Sequence, residues 1–180
     1  MKNKNLLINK NVRVIKKESA IYKRVFRGYN PIRIYNNLTK KNAFELELEV
    51  YKRVSGKEGF PKLIKYDEKE LSLSLEHCGK SLNMMKEISV KNLEEQIDNI
   101  CNILEENEII HLDLNICDGC KNICYKEGKI YLIDFDICVL DKKPLNELLR
   151  KKYLVKKDVD FRDLIMKIIK KKLKFLRNEI

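Results

Sequence analysis

Between His111 and Asp136 the chain reads His-Leu-Asp-Leu, then Asn122 a little later, then Leu-Ile-Asp-Phe-Asp. Two carboxylates and one carboxamide around a short strand-turn-strand can hold a Mg²⁺-nucleotide beside a hydroxyl nucleophile. Asp113 is the candidate base that accepts the proton of the attacking hydroxyl. Asn122 and Asp134 are candidate metal ligands, because oxygen donors suit a hard divalent cation that bridges phosphates. Between them, Ile123-Cys124-Tyr125, the turn Lys126-Glu127-Gly128-Lys129 and Ile130-Tyr131-Leu132-Ile133 form two apolar runs around a Gly-containing turn. That pattern predicts a β-hairpin. Asp118 competes with Asn122 for the metal, but a ligand there would lie too far from Asp134 for a tight hairpin.

The order H-x-D-L…N…D-F-x resembles the protein-kinase superfamily, whose catalytic loop reads H-R-D-L-x-x-x-x-N and whose metal site reads D-F-G. The resemblance implies an ATP- and Mg²⁺-dependent phosphotransferase, serine/threonine protein kinase-like, that transfers the γ-phosphate to a hydroxyl. The acceptor would be a protein substrate or a small molecule. It also implies that the hairpin delivers Asn122 and Asp134 to one metal ion from its two ends. The chain departs from the pattern in two places. Asp113 and Asn122 are nine positions apart rather than five, and the residue after Asp-Phe is Asp136 rather than Gly.

The elements that must position these residues come before them. Residues 6–8, 12–15 and 20–26 read as short strands, and Gly28 to Pro31 breaks the pattern. A helix is predicted over 39–54 with Thr39 as its cap and Phe44, Leu48, Tyr51 and Val54 inward. Strands follow at 62–66 and 71–75, the second alternating strictly as a half-buried strand should. Residues 76–82 leave that strand where kinases have their hinge, and the resemblance makes Glu76 and Cys78 candidates for adenine binding through the backbone. A second helix over 90–107, with Leu93, Ile97, Ile100, Cys101 and Leu104 on one face, would deliver the catalytic loop.

A kinase-like site needs a cation on the α/β-phosphates and a carboxylate that fixes it. Glu47 is the preferred carboxylate, because Glu45 and Glu49 point elsewhere around the helix. Lys23, on Ala20-Ile21-Tyr22-Lys23, reads like the V-A-I-K strand of kinases. Arg33 competes for this role if residues 31–36 form the third strand, but Pro31 there removes a ladder donor and better begins a helix. No Gly-rich phosphate loop precedes Lys23. A catalytically weak pseudokinase or binding module is therefore the alternative.

Taken together, the expectation is an α+β, two-lobed protein-kinase-like fold over residues 1–180. A small five-stranded antiparallel N-lobe sheet plus helix would occupy 1–78, and a truncated helical C-lobe 79–180. Such brevity resembles the compact atypical kinases, namely the RIO kinases and the small kinase of the tRNA-modifying KEOPS complex. The stretch from Lys23 through Gly28-Tyr29 to Pro31 looks like the latter. This resemblance adds a third possibility, a small kinase or ATPase in a tRNA-modification or ribosome-related assembly.

Composition bounds the rest. The 180 residues suit one domain. A net charge of +11 favours polyanionic partners, and 44% hydrophobic residues suffice for a core. Near the C-terminus Lys167, Lys170, Lys171, Lys172 and Lys174 alternate with apolar residues as an amphipathic basic helix, a candidate surface for RNA or an acidic partner. No apolar run approaches the roughly 20 residues that span a bilayer, and the N-terminus lacks an apolar signal region, so no membrane is expected and a cytoplasmic location is. Abundant Lys, Asn and Ile would suit an AT-rich genome such as that of a large DNA virus. The six cysteines are then expected as reduced thiols. Cys117-x-x-Cys120 with Cys124 has zinc-like spacing, but it lacks a second such pair, and loop or buried thiols are preferred.

Overall fold

The computed structural model describes residues 6–8, 12–17, 20–25, 40–85, 90–111, 114, 121–136 and 138–140, with backbone alone at 6–8, 12–17, 20–25, 40–42 and 139. Strands β1 (Leu6–Ile8), β2 (Val12–Lys17) and β3 (Ala20–Val25) precede helix α1 (Lys40–Val54). Strands β4 (Leu63–Asp67), β5 (Ser72–Glu76) and β6 (Lys80–Ser81), a 3-10 turn and helix α2 (Leu93–Glu106) come next. The last described elements are β7 (Ile109–His111), β8 (Ile123–Lys126), β9 (Lys129–Leu132) and β10 (Cys138–Leu140).

Every described strand pair is antiparallel. One sheet runs β1-β2-β3-β5-β4, a second β6-β8-β9, and a third pairs β7 with β10. The mixed α+β character and the antiparallel pairing agree with the sequence reading. Two details differ. The expected half-buried strand at 71–75 begins at Ser72, since Leu71 sits in a turn at φ 48°. Its Ser74 is only 2% exposed. Alternation predicted a wet face there, but β5 lies between β3 and β4, so serines pack inside as small spacers.

Both helices carry the apolar stripe read from sequence. Phe44, Leu48, Tyr51 and Val54 of α1 join Ile97, Ile100, Ile103 and Leu104 of α2 in one core with Leu73, Leu75, Ile123, Ile130, Leu132 and Phe135. Leu93 and Cys101, expected on the α2 face, lie at the margin of this core. The hairpin β8–β9 is clamped to α2 by Gln96. Its Nε2 donates to Gly128 O at 3.0 Å and its Oε1 accepts from Ile130 N at 3.0 Å. The turn residues Glu127 and Gly128 have φ of 52° and 84°, the double left-handed geometry that matches strand twist in a two-residue hairpin.

Candidate active site

The open end of the hairpin gathers the candidate metal ligands. Ile133 N donates to Asn122 O at 2.9 Å, so Asn122 and Asp134 flank one backbone bridge. Asn122 is 5% exposed. Asp134 holds φ at 71°, a left-handed value that Asp tolerates better than most residues but that still costs on the order of 1 kcal/mol. Surrounding structure has to maintain such a conformation. Here the Asp134 amide donates to the Tyr51 hydroxyl of α1 at 3.3 Å.

Phe135 anchors the next position. It is fully buried, with its ring edge-on to Tyr51 at 5.6 Å and 89°. His111 and Phe60 close around it at 4.7 and 6.1 Å between ring centroids. Such aromatic pairs contribute about 0.5–1.5 kcal/mol each beyond area burial. His111 Nε2 lies 2.9 Å from Ile133 O. A carbonyl only accepts, so Nε2 carries the proton and donates. Asp113, the candidate base, lies outside the described residues, between His111 at the end of β7 and the buried Leu114.

Of the three acids considered on α1, Glu47 is the one taken into the interior, at 1% exposure. Glu45 is exposed, and Glu49 pairs with Arg53 at 3.0 Å. Glu47 precedes Tyr51 by four residues and so shares its face. Burial, followed by the charges of Glu47 and Asp136, holds the Cys138 thiol well above its ordinary value. Glu47, Asp136 and Cys138 are therefore neighbours where α1 meets β10. Lys23 lies mid-strand in β3, in register with Val14 and Leu73. The Lys23 side chain and all of Arg33 lie outside the described residues, as do Asp118, Cys117, Cys120 and the basic C-terminal segment.

At the other side of the hairpin sits the hinge-like segment. Glu76 closes β5, its amide donating to Lys62 O at 2.9 Å, and its carboxylate lies 3.7 Å from Lys126 Nζ. Gly79 then passes so close to β8 that a Cβ there would meet Tyr125 O at 2.0 Å, and its φ is 85°. Only glycine permits this approach, which lets β6 pair with β8. Cys78 is 1% exposed and Cys124 4%. Burial first, then the Asp134 charge, pushes the Cys124 thiol up to about 12. The Cys78 thiol is raised too, by burial, then Glu76, then Cys124. These mutual influences trace a path from the hinge-like segment across β8 to Asp134. Neutral thiols and apolar groups line that path, and carboxylate and carboxamide oxygens stand at its end. The oxygen donor set of Asn122 and Asp134 fits Mg²⁺ rather than a thiophilic metal.

Sequence reasoning missed Tyr51 as a polar partner, Gln96 as a hairpin clamp and Gly79 as a contact point. Tyr51 was placed on the inner face as an apolar group, and its hydroxyl could have prompted a search for a buried partner.

No protein-family model matches the chain, and no curated protein sequence matches it. Solved structures do. The Rio2 kinase from Chaetomium thermophilum superposes with a TM-score of 0.56 at 15% identity, covering 84% of this chain and 54% of that one. The ADP/Mg²⁺-phosphoaspartate complex of Rio2 kinase from the same organism gives 0.54 at 16% identity, covering 84% and 52%. The chain thus spans about half the length of these structures. The fold of this chain is protein-kinase-like.

Proposed function

We propose that this chain is an ATP- and Mg²⁺-dependent phosphotransferase of the protein-kinase type, acting on a serine or threonine hydroxyl of a protein. The observation that carries this reading is the convergence at the hairpin's open end. Asp134 is held in a left-handed backbone beside Asn122, under the same helix that buries Glu47. When bound, Mg²⁺ would neutralise charge on the phosphates and orient them. Asn122 and Asp134 would hold it, Glu47 would fix Lys23 on the phosphates, and Asp113 would accept the hydroxyl proton. The hinge-like segment at Glu76–Cys78 would meet the adenine edge, with Cys124 beneath the ring. The two-lobed division near residue 78 belongs to this proposal. The basic C-terminal stretch would contribute RNA or an acidic partner.

The phosphoaspartate of the Rio2 complex supports a second reading, in which a carboxylate of the site attacks the γ-phosphorus and ADP leaves. Water then hydrolyses the acyl phosphate, making the chain an ATPase serving an assembly. Incubation with γ-labelled ATP and Mg²⁺ separates the readings. Label on an added protein, stable to hydroxylamine, supports the kinase. Label on this chain, released by hydroxylamine, supports the ATPase. No label and no Mg²⁺-dependent nucleotide binding rejects both. Lys23→Met should eliminate transfer and Arg33→Met should leave most of it.

A further inference from the structure

Tyr51 occupies an unusual position for a phenol. Its ring is completely buried, at 0% exposure, and packs edge-on against Phe135. Packing alone would be served by Phe or Leu, without a hydroxyl to desolvate, so the buried hydroxyl calls for a bonded role. Its partner is the Asp134 amide at 3.3 Å, a main-chain group rather than the carboxylate. A bond to that N–H acts on the orientation of the peptide leading into Asp134, the residue whose φ is left-handed. The peptide one step earlier is held from both sides, with Ile133 N bound to Asn122 O and Ile133 O bound to His111. The backbone up to Ile133 is therefore set by the hairpin and β7, while the entry into Asp134 is set from α1. Glu47 lies one helical turn before Tyr51 on the same face.

We infer that Tyr51 is a positioning residue that fixes the Asp134 backbone from α1, so that the phosphate-clamp carboxylate Glu47 and the metal-holding carboxylate move as one unit. This rests on the phosphotransferase reading for its functional consequence, but the contact itself is testable without nucleotide. A shift of α1 away from the hairpin would release the Asp134 amide at the same moment that it withdraws Glu47. The site would then lose its metal ligand geometry and its phosphate clamp together.

Tyr51→Phe removes the hydroxyl and keeps the ring. Two measurements decide. Amide hydrogen exchange, read residue by residue, should show Asp134 accelerated about fivefold, the factor expected for one net hydrogen bond, with Ile130 and Leu132 unchanged. Binding of a non-hydrolysable ATP analogue, titrated with Mg²⁺, should need about fivefold more metal, while Mg²⁺-free nucleotide binding stays as it was. Acceleration spread evenly over the hairpin amides would mean a merely structural role and overturn the inference. So would an unchanged Asp134 amide. If the unaltered protein shows no Mg²⁺-dependent nucleotide binding, the phosphotransferase reading fails, and the exchange experiment still judges the Tyr51 contact by itself.

Discussion

The hairpin β8–β9 is gripped at its two ends by two helices that use different chemistry. At the turn, α2 holds it through the Gln96 carboxamide, which satisfies Gly128 O and Ile130 N. At the open end, α1 holds it through the Tyr51 hydroxyl and an aromatic edge against Phe135. Helix α2 keeps Glu94, Glu95, Glu105 and Glu106 exposed and buries an apolar stripe. Helix α1 takes a carboxylate, Glu47, into the interior beside Tyr51. Burying a charge is expensive unless it serves a partner or a task, whereas an apolar stripe is ordinary helix packing. The turn end is scaffold and the open end is the working part.

If that division holds, changes at the open end should damage chemistry more than stability. The largest effect is expected for Asp134→Asn, which substitutes a neutral amide for the anionic metal ligand. Mg²⁺-dependent ATP turnover should fall by about two orders of magnitude or more, with the thermal midpoint nearly unchanged. Unchanged turnover would remove Asp134 from the site. Glu47→Gln should follow, with transfer reduced about tenfold or more, as when the partner that orients a working group is lost. Single-turnover kinetics would show this as a slower transfer step.

Changes at the turn end should do the reverse. Gln96→Ala leaves the Ile130 amide without its partner in a buried strand and should cost about 2 kcal/mol in urea unfolding. Its Mg²⁺ requirement should match the unaltered protein. A shifted metal requirement in this variant would break the division between scaffold and working end.

The smallest effect concerns pH. The Cys124 thiol titrates at 9.0 when unperturbed and near about 12 in the fold. Its folded value is raised, so the associated stability is complete below pH 9 and is lost as pH rises toward 12. Moving from pH 8 to pH 10 should therefore lower the unfolding free energy by about 1 kcal/mol from this group. Cys124→Ala should flatten that slope, which denaturant titration at the two pH values would measure.

Much of the working end could be read from sequence because its signals are local. The hairpin announces itself by alternation and by Glu127-Gly128, whose left-handed geometry glycine and a two-residue turn favour. Glu47 stands out from Glu45 and Glu49 because 3.6-residue periodicity places it with Leu48 and Tyr51. The short strands β6, β7 and β10 were not legible, since two or three residues carry no periodicity and their hydrogen-bond partners are distant in sequence.

The order of Asp113, Asn122 and Asp134, the faces of both helices and the hairpin were thus determined by the sequence itself, through periodicity and turn chemistry that act over a few residues. Only the tertiary structure decided that Ser74 is interior, that Gly79 touches β8, that Gln96 clamps the turn and that the Tyr51 hydroxyl meets the Asp134 amide. Each of these depends on two segments brought together by core packing. A buried polar atom takes its partner from whatever that packing places beside it, and no local pattern encodes that choice.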